Sequence, residues 1–188
     1  MKRIHYSPML FITLVSISLF ATFAEAATLE VGAGKPYTTI QSAIDAAGWR
    51  DTILVYEGIY VENVNIWNSV TVKSISGAAN TIIDGNQNGT VMTLASDTVL
   101  DGFTIQNGNA LGSGGGIYCQ PIYCSITNCI ISGNTAYEGG GIYSYGAMIE
   151  ITNSTINDNM AGKGGGIYSI TPAIEHVNFM RHKQPLDD

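Results

Sequence analysis

Apolar and polar residues alternate along most of the chain from about residue 50 onward, in short runs separated by glycine, asparagine and aspartate. Ile149 and Ile151, for example, alternate with Glu150 and Thr152 before the run is broken at Asn153. A period of two predicts strands of about three to five residues with one buried side. After residue 48 no segment has the apolar spacing of a helix, so the pattern indicates a fold built from short strands.

The pentapeptide GGGIY occurs at residues 114–118, 139–143 and 164–168, with a constant spacing of 25 residues. A fixed period of this length is typical of a solenoid, in which each repeat buries its apolar side only by stacking on its neighbours. Because the units contain strands and no helices, we predict a coil of short parallel strands. Successive coils are then about 4.8 Å apart, and equivalent side chains are stacked in columns.

Aligning the three units identifies the side chains that are expected to stack. The predicted columns are Ile117, Ile142 and Ile167; Asn128, Asn153 and Asn178; Asn134 and Asn159; and Tyr118, Tyr143 and Tyr168. The isoleucines are expected inside, and a buried asparagine can hydrogen-bond both its own coil and the amide of the next one. The tyrosines follow an inward residue and should face outward. Three glycines before each strand allow positive φ and close contact between coils.

The region before the repeats predicts one short helix and a first coil with looser spacing. The helix covers about residues 38–47, begins with Thr38 or Thr39 as N-cap and ends at Gly48. Its apolar face packs over the end of the solenoid as a cap. The apolar positions assigned to the first coil are Ile53, Val55, Ile59, Val61, Val64 and Ile66.

Residues 1–26 have the features of a secretory signal peptide. Lys2 and Arg3 precede an apolar run from residue 9 to residue 21, and Ala24-Glu25-Ala26 fits a cleavage site. The alternative is a membrane anchor, but the run is shorter than the roughly 18 residues that a span needs. We therefore expect an exported protein with no transmembrane span in the mature chain.

The composition limits the partners. The chain is 45% hydrophobic and 12% charged, which suits one folded domain, here residues 27–175. Loss of the leader removes two basic groups and one acidic group, which takes the formal charge from −7 to −8. Nucleic acid is excluded as a partner because phosphate contact needs a basic face. An acidic exterior also repels polyanionic polysaccharides.

The segments GKPYTTIQSAIDAA, DTILVYEGIYVENVNI, TIIDG, LDGFTIQNGN and the repeated GGGIY together resemble secreted right-handed parallel β-helix proteins of the pectin-lyase-like superfamily. The GGGIY units, with following strands such as ITNSTINDN, are also similar to the repeats of bacterial polymorphic outer membrane proteins. The resemblance covers roughly residues 28–175. It implies an all-β, right-handed parallel β-helix, and it is specific for fold and not for activity.

The superfamily includes polysaccharide lyases, which use an arginine or lysine base beside carboxylates that hold Ca²⁺. The basic residues of the mature chain are scattered, so Ca²⁺ is expected only under this enzymatic alternative and no cofactor is expected otherwise. A hydrolase needs two or three converging carboxylates. Asp84 and Asp101 are the only internal candidates, and each is in an Asp-Gly pair that is also typical of a plain turn.

Cys119, Cys124 and Cys129 recur every five residues, and their counterparts one unit later are small or apolar. We interpret them as fillers of the interior and not as metal ligands, and no metal site is predicted. The tyrosine column has two interpretations. Stacked rings stabilise the coils by themselves, and a strip of outward Tyr118, Tyr143 and Tyr168 could instead bind sugar rings.

The third unit loses the pattern after residue 175, where His176 and Arg181 occupy positions that are apolar in the other units. Residues 176–188 are therefore expected to be an irregular tail, either a divergent cap or the result of truncation of a longer gene product. We predict a secreted or cell-surface recognition scaffold for adhesion or glycan binding. A polysaccharide lyase or glycoside hydrolase, and a non-catalytic stalk or fragment, are the alternatives.

Overall fold

The computed structural model describes residues 25–95, 97–120, 123–170 and 174–175. The predicted tail 176–188, Asn178 and nearly all of the predicted signal peptide lie outside the described residues. The described part forms one helix, α1 (Ile40–Ala46), and twenty strands. The strands in chain order are β1 (Thr28–Val31), β2 (Thr52–Val55), β3 (Gly58–Val61), β4 (Val64–Ile66), β5 (Val70–Ser74), β6 (Thr81–Asp84), β7 (Met92–Leu94), β8 (Thr98–Asp101), β9 (Thr104–Gln106), β10 (Asn109–Ser113), β11 (Ile117–Cys119), β12 (Tyr123–Thr127), β13 (Ile130–Ser132), β14 (Thr135–Glu138), β15 (Ile142–Ser144), β16 (Met148–Thr152), β17 (Thr155–Asn157), β18 (Met160–Lys163), β19 (Ile167–Ser169) and β20 (Ile174–Glu175).

The strands stack into four parallel sheets that run along the axis of the solenoid. Sheet A has the order β1-β2-β5-β8-β12-β16-β20, and sheet B has the order β3-β6-β9-β13-β17. Sheet C has the order β4-β7-β11-β15-β19, and the short sheet D has the order β10-β14-β18. Each circuit of the chain visits the sheets in turn, so about six turns form a right-handed parallel β-helix. The predicted fold class is confirmed.

The isoleucine column lies inside the coil, in sheet C. Ile117 is paired with Ile142, and Ile142 with Ile167, in the register expected from the alignment. The column continues into the irregular coils, where Met92 is opposite Ile117 and Val64 is opposite Met92. Four of the five side chains are buried. The apolar residues of each strand therefore pack on the equivalent residues of the strands above and below.

The glycines of the GGG motif extend the ladder of sheet C beyond the strands. The amides of Gly115 and Gly116 donate to the carbonyls of Gly139 and Gly140 at 3.1 and 3.0 Å. The preceding Gly114 has a φ of 72°, which few other residues adopt without strain. The motif therefore combines a turn with very close contact between neighbouring coils, as predicted.

The two asparagine columns have different structures. Asn134 is buried, and its Nδ2 donates to the carbonyl of Ile105 and to the Oδ1 of Asn159, both at 3.0 Å. Its own Oδ1 accepts from the amide of Gly108 at 2.8 Å. This column is the amide ladder that the sequence predicts, and it gives buried backbone groups next to the turn, the amide of Gly108 and the carbonyl of Ile105, a partner.

The second asparagine column is not a buried ladder, and here the prediction is wrong. Asn128 and Asn153 are exposed and have φ values of 53° and 49°. Gly102, at the equivalent position of the coil before Asn128, has a φ of 86°. These positions require a left-handed backbone at the corner between sheets A and B, and asparagine tolerates that conformation better than most residues.

The side of strand β3 that faces the core also differs from the prediction. Ile59 and Val61 face the solvent, whereas Tyr60 is buried beside the core. The register of β3 with β6 places Tyr60 next to the buried Ile83. The hydroxyl of Tyr60 donates to the carbonyl of Tyr56 at 2.8 Å, which satisfies its polar atom.

Helix α1 covers the first coils as predicted. Ile40, Ala43 and Ile44 are fully buried, and Thr39 is the N-cap, its hydroxyl accepting from the amide of Ser42 at 3.2 Å. The carboxylate of Glu62 accepts from the first two helical amides, those of Ile40 and Gln41, at 2.9 and 3.0 Å. A residue of the next coil therefore completes the helix start.

Candidate functional site

The tyrosine column stands beside the isoleucine column, on the other side of sheet C. The rings of Tyr118 and Tyr143 are stacked with centroids 5.1 Å apart, and those of Tyr143 and Tyr168 are 5.9 Å apart. Tyr143 is only 6% exposed, and burial raises the pKa of its hydroxyl even though a hydrogen bond with Ser113 acts in the opposite direction. Tyr143 therefore has a tyrosine on each side, and Tyr118 and Tyr168 each have one on the side towards it. This arrangement favours packing over the stacking of sugar rings.

The two candidate catalytic carboxylates lie in different sheets. Asp84 ends β6 in sheet B, whereas Asp101 ends β8 in sheet A. Asp101 forms an ion pair with Lys73 at 3.1 Å and accepts from Nδ2 of Asn128 at 2.7 Å. Asp84 accepts from Nε2 of Gln106, Nδ2 of Asn107 and the amide of Asn86. Each carboxylate therefore has its own partners in neighbouring coils, and the structure does not bring the pair together.

The pKa of Asp84 is lower than its ordinary value. Burial alone would raise this pKa, but the hydrogen bonds from Gln106, Asn86 and Asn107 stabilise the carboxylate more strongly. A group with a depressed folded-state pKa contributes stability above its unfolded pKa, about 3.9 for aspartate, and that contribution is lost as the pH falls through the folded value. We expect Asp84→Asn to reduce stability at pH 7 and to have a smaller effect near pH 3. Urea unfolding followed by circular dichroism at both pH values tests this, and an equal effect at the two would contradict it.

The three cysteines are buried and unpaired. Burial raises the pKa of Cys129 to about 11, and a hydrogen bond with Cys124 together with burial raises the pKa of Cys119 well above its ordinary range. Neutral thiols at these positions act as small apolar side chains, so the interpretation as interior fillers is confirmed.

A groove that the sequence analysis did not identify opens where the strands of sheet A begin. It has a volume of about 270 Å³ and is lined by Trp49, Arg50, Asp97 and Tyr123, together with the first residues of β5 and β8. We call it the Trp49 groove. Trp49 is 67% exposed, and the guanidinium carbon of Arg50 is 4.2 Å from the centroid of its ring. The sequence signal was the pair Trp49-Arg50 directly after the helix stop at Gly48.

Within the described residues, no cluster of three or more histidine, cysteine, aspartate or glutamate side chains could hold a metal ion. No helix in the same part of the chain is long and apolar enough to span a membrane.

Three ion pairs are described, each within one coil or between neighbouring coils: Lys35 with Glu30, Lys73 with Asp101, and Lys163 with Glu138.

The sequence is similar to one family of repeats and to one named protein. Residues 128–145 and 153–170 match the Chlamydia polymorphic membrane protein (Chlamydia_PMP) repeat. The chain is also 33% identical over 123 residues to a protein of Methanothermus fervidus named "Cell surface glycoprotein". That alignment covers 64% of this chain and 19% of the relative, so the chain spans about a fifth of that protein.

The fold is similar to those of pectin methylesterases. The enzyme from Aspergillus niger in deglycosylated form aligns with a TM-score of 0.50 and 18% identity over 82% of this chain and 62% of that one. A pectin methylesterase mutant in complex with a hexasaccharide aligns with a TM-score of 0.51 and 13% identity over 74% of this chain and 56% of that one. At this identity the similarity shows the fold alone. The chain is a right-handed parallel β-helix, and two of its segments match the polymorphic membrane protein repeat.

Proposed function

We propose that this protein is a recognition scaffold displayed outside the cell membrane and that its task is glycan binding, through which it serves adhesion. The observation that carries the proposal is the in-register stacking of the coils. Because the repeated motif residues form the interior, the turns and the contacts between coils, the outward positions are left to vary on a rigid support. The relative named as a cell surface glycoprotein and the polymorphic membrane protein repeats support a surface location.

The charge of the chain favours neutral glycans over polyanionic ones. The formal net charge is −7. Lys35, Lys73 and Lys163 each form an ion pair with an acidic side chain of this chain. An acidic surface repels an acidic polymer at ordinary ionic strength. A neutral polysaccharide has no such penalty and can be bound by aromatic and hydrogen-bonding side chains.

The enzymatic alternative receives less support. Asp84 and Asp101 belong to separate sheets, and each accepts a hydrogen bond from an asparagine side chain of the next coil. A hydrolase based on these two carboxylates would need them to converge on one bond of the substrate.

Two measurements test the proposal on the full chain. Intact cells that express the protein are treated with an added protease, and loss of the protein from these cells is the expected result. The purified protein is then applied to an array of neutral and acidic glycans, in parallel with an assay for newly released reducing or unsaturated ends. We expect retention of neutral glycans without release of products. Product release would support the lyase or hydrolase alternative, and neither binding nor release would support a structural stalk.

A further inference from the structure

We propose that the Trp49 groove is the subsite that binds one pyranose ring of a neutral glycan. This inference rests on the proposed glycan-binding function and assigns its position and ligand class. Trp49 would provide the stacking surface, Asp97 the hydrogen bonds to sugar hydroxyls, and Tyr123 one wall.

Trp49 has the exposure that a stacking surface needs. The side chain is 67% exposed although indole is among the largest apolar groups, and its position after helix α1 places it outside the core. Arg50 stacks on the ring with 4.2 Å between the guanidinium carbon and the centroid. A cation on one face restricts the motion of the indole and leaves the opposite face for a ligand. The tyrosine column lacks this property because its ring faces cover one another.

Arg50 is held in an unusual backbone conformation. Its φ is 67°, in the left-handed region that an arginine adopts only with strain, and its amide donates to the carbonyl of Ser69 in the next coil at 2.7 Å. Glycine or asparagine occurs at many of the other described left-handed positions, where the turn alone decides the residue. A strained arginine beside an exposed tryptophan therefore points to a role for its side chain.

The polar wall of the groove is fixed by the neighbouring coils. Oδ1 of Asp97 accepts from the amide of Tyr123 at 3.2 Å, which orients the carboxylate. The hydroxyl of Tyr123 donates to the carboxylate of Glu150, which holds the phenol ring in place. Because a carboxylate accepts up to about four hydrogen bonds, Asp97 retains capacity for ligand hydroxyls.

The charges at the groove identify the ligand as neutral. Arg50 is the one arginine in the described part of the chain, and Asp97 beside it carries the opposite charge. A sugar with hydroxyl groups and no carboxylate can donate to Asp97 and place its apolar face on the side of Trp49 that Arg50 does not cover. A uronate would be attracted to Arg50, but it would be repelled by Asp97 and by the net acidic chain.

The two tryptophans of the chain provide a matched pair for the test. Trp67 is also exposed, at 56%, but it follows β4 in sheet C and is not part of the groove. The full chain, Trp49→Ala and Trp67→Ala are applied to the glycan array. We expect Trp49→Ala to bind the neutral glycans with about tenfold lower affinity than the full chain does. Trp67→Ala should bind them with unchanged affinity. Circular dichroism verifies that both variants fold.

A second measurement reports on the indole itself. In Trp67→Phe, Trp49 is the only tryptophan, and it can be excited at a wavelength that the tyrosines do not absorb. Its emission is followed during titration with cellohexaose, mannohexaose, hexagalacturonate and any neutral glycan retained on the array. We expect a saturable shift with at least one neutral glycan, weakened about tenfold by Asp97→Asn, and none with hexagalacturonate.

The outcomes separate the subsite from the function. If the full chain retains glycans and Trp49→Ala retains them equally, the subsite is wrong and glycan binding stands. If the full chain retains no glycan, both the proposed function and the subsite are wrong. A stronger response to hexagalacturonate than to the neutral glycans overturns the ligand class.

Discussion

Replacement of Gly140 by alanine is expected to destabilise the β-helix strongly. A Cβ atom at this position would lie 2.5 Å from the carbonyl oxygen of Met160 and 2.6 Å from that of Gly165. Both are backbone atoms of the next coil, so they can move away only if the two coils separate. We expect a loss of about 3 kcal/mol, at the upper end of the usual range for overpacking, out of a typical total of about 5–15 kcal/mol.

The measurement is the free energy of unfolding from urea titration, and the chain contains its own controls. Gly112 has no atom within 4 Å of an added Cβ, and its φ is not in the left-handed region, so Gly112→Ala should be nearly neutral. Gly133 has equally open space but a φ of 67°, so Gly133→Ala should cost about 1 kcal/mol. Equal stability of Gly140→Ala and Gly112→Ala would show that the coils are less closely spaced than the structure has them.

Removal of the amide of Asn134 is expected to have the largest effect among the polar residues. Asn134→Ala would leave the amide of Gly108 and the carbonyl of Ile105 without their side-chain partner in a buried turn. A buried polar group that loses its partner costs about 1–3 kcal/mol, so we expect a loss of about 4 kcal/mol for the two together. Urea unfolding of the variant measures this loss.

Two further variants define the cause. Asn134→Asp keeps the size of the side chain but cannot donate to the carbonyl of Ile105, so it should also be strongly destabilised at pH 7. Asn128→Gly changes an asparagine of the exposed column, where glycine adopts the observed φ of 53°, and should cost less than about 1 kcal/mol. Similar losses for Asn134→Ala and Asn128→Gly would contradict the distinction between the two columns.

The repeat predicts the fold in detail because its glycines and isoleucines fit only one register between neighbouring coils. Gly115 and Ile117 recur at a constant spacing, and the register of sheet C follows directly from that spacing. The two asparagine columns recur with the same spacing, and periodicity alone cannot separate them. Asn128 is selected by a left-handed turn and Asn134 by buried hydrogen bonds, two causes that produce the same residue in a sequence.

The irregular first coils were harder to predict. Ile59 and Val61 satisfy the apolar alternation, yet the strand presents Tyr60 to the core because its hydroxyl finds a backbone partner. The Trp49 groove was missed for a related reason. Arg50, Asp97 and Tyr123 are brought together by coils of unequal length, so no fixed spacing marks them in the sequence. Only the positions of Trp49 and Arg50 after a helix stop were visible in advance.

The equivalence of residues 114–138 and 139–163 has a consequence for the evolution of the chain. Each of these units contacts mainly the units before and after it, through the same backbone bonds and the same buried side chains. A gene duplication that inserts one complete unit preserves every junction and lengthens the rod by about 4.8 Å. An insertion that does not add a complete coil shifts the isoleucine and asparagine columns out of alignment. Selection can therefore adjust the reach of such a protein in whole steps while the remaining coils stay unchanged.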